Sequence, residues 1–313
     1  MNFPISDVHI APIYLILVGF VVGVLGGFFG VGGSFIAGPA LFGFGLPMGF
    51  VIGTDLAHIV GKSVVAARKH YSLGNIDFRL GGLMIIGTIP GVECGARIIE
   101  YLKGTAWINQ VIGGTFIVIL VFISAFTAWE GWATLKAQRA KAKENGSRDE
   151  KPAARNQKDH SVFAFLAKHV QRLNLPPFVR LPASNIKRIS LWIVIGVSFL
   201  GGFFSGLLGG GAGYIRMPSL VYILGIPTHI AIGTDLFEII ISAGYGTFTH
   251  ALKGNVDILV ALVMHTGAVL GAQLGVALTP YVSGPRIRLA FFPLPLIGAA
   301  IIAHGLISGH NVP

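Results

Sequence analysis

The chain has 313 residues, 53% of them hydrophobic and only 12% charged, with 44 glycines. A soluble domain carries about 25% charged residues, so this balance excludes an ordinary water-soluble fold and predicts an all-α integral membrane protein, because open sheet edges cannot face lipid. The net charge of +10 is concentrated in residues 131–188, which hold 13 of the 23 Lys and Arg against 4 of the 13 acids; a basic segment beside membrane helices is what the positive-inside rule produces, so no nucleic-acid partner is expected.

Residues 1–11 read as a short polar lead. The N-terminus has neither a basic n-region nor a cleavage site, so the apolar stretch 12–30 is expected to stay as a resident helix. Further apolar segments at 34–46, 48–67, 80–99, 106–129, 189–208, 212–225, 228–249, 257–279 and 288–308 predict about 8–10 membrane segments. The single cysteine, Cys94, excludes an internal disulfide and any multi-cysteine metal site. It is expected to pack as a small residue in a glycine-rich helix, with contact to a sulfur substrate as the alternative. Glu93 and Arg97, four apart, are expected to pair on a helix face.

One pattern occurs twice. Gly27-Phe28-Phe29-Gly30-Val31-Gly32-Gly33-Ser34, Pro39, Gly53-Thr54-Asp55-Leu56 and Gly74-Asn75-Ile76-Asp77 return as Gly206 to Gly213, Pro218, Gly233-Thr234-Asp235-Leu236 and Gly254-Asn255-Val256-Asp257. The offset is 179 residues up to Pro39 and Pro218, and 180 from Pro47 and Pro227 onward. His70 and His250 keep the second register. The chain therefore divides into an N-terminal repeat, residues 1–130, a linker, 131–188, and a C-terminal repeat, 189–313. Within the linker, Lys136 to Asp159 reads as charged and mobile. Ser161 to Leu175 reads as an amphipathic helix on the cytoplasmic leaflet, ended by Pro176 and Pro177. If the halves are inverted, inside loops 68–79 and 280–288 hold five Lys/Arg against three in outside loops 97–104 and 250–256, so loop charge favours inversion.

The glycine clusters should break their helices. Ser34 is a candidate N-cap for the segment that follows. That segment, of 13 residues, covers about 20 Å at 1.5 Å per residue, short of the hydrocarbon core. Short, glycine-interrupted segments at matching places in two halves point to a transporter's binding site.

These residues carry a resemblance to the sulfite exporter TauE/SafE family of membrane permeases, extending over about residues 12–128 and 190–308. The long basic linker and the Glu93-Cys94 pair depart from the usual pattern. The resemblance implies export of sulfite or a small organosulfonate across a prokaryotic cytoplasmic (inner) membrane by a multi-pass secondary transporter. The alternative is a permease for another anion such as thiosulfate, sulfate or a carboxylate, with uptake as the alternative direction.

The residues support an anion independently. A helix N-terminus presents free N–H donors and about half a positive charge, and glycine lets an oxyanion approach the backbone. Gly30, Gly32, Gly33, Ser34, Gly209, Gly211 and Gly213 are thus candidates to line the site, with close helix packing by small residues as the competing role. Thr54, Asp55, Thr234 and Asp235 sit beside it. Lys62 and Arg216 are the candidate anion-holding cations, although Lys62 could equally pair with Asp55 or Glu238. His58 and Glu238 are candidates for proton coupling. Asn75 and Asn255 are expected to cap turns. No Gly-Lys-Ser/Thr follows the glycines, which removes a nucleotide loop. No nucleophile–base pair or metal cluster stands out, so neither enzymatic activity nor any cofactor is expected. The expected partners are a small anionic substrate and membrane lipid, and small-residue faces would permit a homodimer.

Overall fold

A computed structural model describes residues 2–105, 107–144, 164–173 and 175–308. The order is β1 (Asn2–Phe3), β2 (Val8–His9), α1 (Pro12–Phe29), α2 (Ser34–Gly43), α3 (Met48–Ser72), α4 (Phe78–Leu102) and α5 (Ile108–Glu144). Then come α6 (Ala164–Arg172), β3 (Phe178–Leu181), β4 (Ile186–Ser190), α7 (Leu191–Leu208), α8 (Gly213–Ser219), α9 (Thr228–Leu252), α10 (Ile258–Leu278), α11 (Gly284–Phe291) and α12 (Pro293–Ile307). Among the described residues, seven helical stretches are long and apolar enough to cross a membrane: α1, α3, α4, α5, α7, α10 extended to Tyr281, and α11 with α12. The protein is an all-α integral membrane protein. The remaining apolar segments are α9, which packs along α3 inside the molecule, and the short helices α2 and α8.

The halves are interleaved. α1 packs chiefly on α10 and α4 chiefly on α7, so the first helix of each half lies against the fourth of the other. Small residues make this possible: the face of α1 carrying Gly19, Gly23 and Gly27 lies on the backbone at Met264, Ala268 and Ala272 of α10. Gly87, Gly91 and Gly95 of α4 approach α7 at Ile195, Phe199 and Phe203 in the same way. Between helices in lipid, dispersion at such short range takes the place of the hydrophobic drive available in water.

Several expectations are corrected. The polar lead is an antiparallel hairpin, β1–β2, and residues 178–190 form a second one, β3–β4. In each hairpin a serine reaches the helix cap of a distant loop. Asp77 caps α4 through Leu80 N at 3.0 Å, and its other oxygen accepts from Ser184 N at 3.2 Å and Ser184 Oγ at 2.6 Å. Asp257 caps α10 in the same way and accepts from Ser6 N at 3.2 Å and Ser6 Oγ at 2.7 Å. The helix expected to end near Trp129 continues to Glu144, so the start of the supposed mobile stretch is helical; the rest of it, residues 145–159, lies outside the described residues, as do residues 161–163. α6 spans nine residues and rests on a π-helical turn, Leu220–Leu224, where Gln171 Nε2 donates to Leu224 O at 2.8 Å. Cys94 is exposed, not packed. Arg97 Nε donates to Glu93 Oε1 at 2.9 Å, as the spacing predicts.

Candidate functional site

Both glycine clusters break their helices. α1 stops at Phe29; Gly30, Gly32 and Gly33 then take φ of +73°, +69° and +80° before α2 begins. These left-handed values turn the chain sharply, and residues with a Cβ adopt them at a cost. In the second half Gly209, Gly210, Gly211 and Ala212 have φ of +81°, +72°, +70° and +46°, and α8 begins at Gly213. Ser34 is not an N-cap. Gly33 holds that position, Ser34 is the first helical residue, and its hydroxyl makes no capping bond.

The two turns meet inside the protein. A Cβ on Gly32 would stand 2.8 Å from the carbonyl oxygen of Gly210, and one on Gly210 would overlap the Ser34 side chain. A Cβ on Gly213 would come within 2.9 Å of Asp235 Oδ2, hard against the backbone of Val31. Only glycine lets the backbones pass this closely. Gly30, Gly33, Gly209 and Gly211 serve the turns themselves: their open sides face Ile232, Val22, Ile52 and Ile239 and not the opposite turn.

Around this crossing α3 and α9 place two strings of ionisable side chains, all buried. On α3, Asp55 Oδ1 lies 3.2 Å from His58 Nδ1, and His58 Nε2 lies 3.4 Å from Lys62 Nζ. Lys62 thus meets His58 directly, in place of the expected pairing with Asp55 or Glu238. From the second half, Arg216 of α8 binds Asp235 through Nε and Glu238 through Nη1. Ser242 Oγ donates to Glu238 Oε2 at 3.3 Å. Three carboxyl groups, Asp55, Asp235 and Glu238, therefore share the interior with two basic side chains, Lys62 and Arg216. Asp55 Oδ2 comes within 3.2 Å of a Gly210 Cβ position, so Asp55 faces the glycine turn of the other half, whereas Asp235 lies beside Gly213 of its own. Ser34 Oγ, Asp55 Oδ2, Asp235 Oδ2 and Tyr214 Oη are buried there without a hydrogen-bond partner among the described residues. An unmatched buried polar atom costs about 1–3 kcal/mol, and four of them lie at this crossing.

Thr54 and Thr234 face elsewhere. Their hydroxyls accept from Asp257 N and Asp77 N, each at 2.9 Å, and so tie α3 and α9 to the loops of the opposite half. Asn75 Nδ2 lies 3.2 Å from His70 Nδ1. Sequence reasoning missed Val31, Gly210 and Tyr214 at the crossing, although the 179-residue register pairs Val31 with Gly210. It also missed a second buried cluster, in which Arg288 Nε donates to Glu130 Oε2 at 3.1 Å. Tyr222 Oη donates to the same oxygen at 2.8 Å, and Thr134 Oγ1 to Glu130 Oε1 at 2.7 Å.

A family model described as Sulfite exporter TauE/SafE matches residues 15–302. The probable membrane transporter protein YunE of Bacillus subtilis (strain 168) is 23% identical over 305 residues, covering 95% of this chain and 99% of the relative. The probable membrane transporter protein YjnA of the same organism is 26% identical over 300 residues, covering 94% and 97%. A probable membrane transporter protein of Xylella fastidiosa (strain Temecula1 / ATCC 700964) reaches 38%, over 103 residues covering 33% of this chain and 40% of its own. No solved structure matches.

Proposed function

The chain belongs to the sulfite exporter TauE/SafE family and is a multi-pass membrane transporter, and on that premise we propose that it exports sulfite or a small organosulfonate across the cytoplasmic membrane. The observation that carries this reading is the buried crossing of the two glycine turns, flanked by Arg216 and Lys62. Sulfite and sulfonates present three acceptor oxygens. The start of α2, Ser34 Oγ and the Arg216 guanidinium offer donors of matching kind, and charge-assisted bonds from arginine to an oxyanion are the strong class.

Coupling follows from the charge balance. With every carboxyl ionised, three acids oppose two cations, and an arriving anion would add to the excess. In this reading the anion takes Arg216 from Glu238, and the freed Glu238 accepts a proton; His58, between Asp55 and Lys62, is the second proton carrier. Charge buried in a membrane is expensive enough that such groups earn their place through function. The two halves lie inverted in the membrane, a reading supported by Lys103 Nζ donating to Lys253 O at 2.7 Å, which brings the ends of α4 and α9 to one face.

The test is flux in proteoliposomes with labelled sulfite, organosulfonates, thiosulfate, sulfate and carboxylates, with and without a pH gradient. Saturable movement of sulfite or a sulfonate, stimulated by the gradient, is the expected result. Movement of carboxylates alone would move the chain to another substrate class.

A further inference from the structure

The Glu130–Arg288 cluster lies outside the central crossing and has no part in the mechanism above. It sits where α5 leaves its apolar stretch, Ile108–Thr134, and so near the membrane face on which α5 ends. Four elements converge on it: α5 brings Glu130, α11 brings Arg288, the π-helical turn brings Tyr222, and the start of α9 brings Thr228, whose Oγ1 accepts from Arg288 Nη1 at 2.5 Å. Glu130 is fully buried and Arg288 nearly so.

Arg288 and Tyr222 also line a narrow cleft whose other walls include Phe29, Val31 and Met217. Phe29 and Val31 belong to the first glycine turn, and Met217 follows Arg216. The cleft therefore reaches from Arg288 to Val31 at the edge of the central crossing, and its interior has room for about one water molecule. An oxyanion cannot pass it as it stands. At the opposite end of α5, Asn109 Oδ1 accepts from Met48 N at 3.3 Å. Packing alone does not require the charged closure of Glu130 with Arg288, since a buried ion pair is weak support for stability.

We propose that Glu130 and Arg288 form the gate on this face of the transport path, and that Arg288 is the first residue to bind the anion when Glu130 releases it. A guanidinium suits this exchange because its planar fork binds carboxylate and sulfur oxyanion through the same paired N–H groups. Tyr222 and Thr134 hold Glu130 while it is parted from Arg288. The inference rests on the anion-export reading for its substrate but not for its gate.

The experiment uses the full-length protein in proteoliposomes with Cys94→Ala and Met217→Cys, which places one thiol on the cleft. A small membrane-impermeant methanethiosulfonate reagent is added at the face on which α5 ends. Glu130→Gln, which keeps an acceptor for Tyr222, is expected to speed labelling at least fivefold. Where that variant does not fold, Glu130→Gln/Arg288→Gln, which strands no buried charge, is expected to do the same. Labelling at the parent rate in the folded variant overturns the gate. Labelling needs no substrate, so it stands even if no sulfur oxyanion is moved. For sulfite offered at that face, Arg288→Lys is expected to raise KM about tenfold with a smaller change in kcat; an unchanged KM overturns the role given to Arg288.

Discussion

At the crossing of the two turns, each side chain does something its neighbour in sequence does not. Asp55 and Asp235 both lie against the glycine turn of the second half, at Gly210 and Gly213, while Thr54 and Thr234, one residue earlier, fasten their helices to Asp257 and Asp77. The tandem Gly-Thr-Asp motif was legible in the sequence, but the division of labour inside it was not, because adjacent helical residues point about 100° apart and only packing decides which faces inward. Lys62 was legible as part of a helical face with His58 and Asp55; that it meets His58 instead of an acid depends on where α8 puts Arg216. Two predictions belong here. Gly32→Ala sets a methyl against Gly210 O at a φ of +69°, a conformation that costs about 1–3 kcal/mol off glycine; it should cut sulfite flux at least tenfold, and flux equal to the parent in folded protein would remove the crossing from the path. Glu238→Gln should abolish the response of flux to a pH gradient while sulfite exchange persists, and a full gradient response would take the proton away from Glu238.

Among elements, the ten apolar segments were readable from composition, and their glycine breaks from the duplicated cluster. The hairpins β1–β2 and β3–β4 were hidden. Their strands are two to five residues long, and their anchors, Ser6 and Ser184, are ordinary polar residues until Asp257 and Asp77 come near. The extension of α5 to Glu144 was hidden for a related reason: at about 1.5 Å per residue its 37 residues reach about 55 Å, well past a 30 Å hydrocarbon core, and no apolar period marks a helix in water. The staples predict a measurable effect. Hydrogen bonds to charged groups contribute about 1.5–3 kcal/mol, so Ser184→Ala should lower the denaturation midpoint of the detergent-purified protein without abolishing transport. A midpoint unchanged by Ser184→Ala and Ser6→Ala alike would make the hairpins dispensable.

Across the described residues α1 packs on α10 and α4 on α7, and the function we propose lies where the two glycine turns touch. Irregular backbone at membrane depth survives only where protein or a polar cavity surrounds it, which is why two broken helices end at a common point and not at the lipid. His70 and His250 reflect the same arrangement: each places Nε2 near a carbonyl just before a break, at 3.3 Å from Gly27 O and 3.1 Å from Gly206 O. The register of the two histidines was visible in the sequence, but their partners were not, since they lie 43 and 44 residues away. The central claim is that a sulfur oxyanion binds at this crossing. Equilibrium binding of labelled sulfite to the purified protein tests it most directly, with Ser34→Ala and Arg216→Lys as comparisons. Saturable binding that weakens at least tenfold in each folded variant is the expected result; binding of undiminished affinity in both would contradict it.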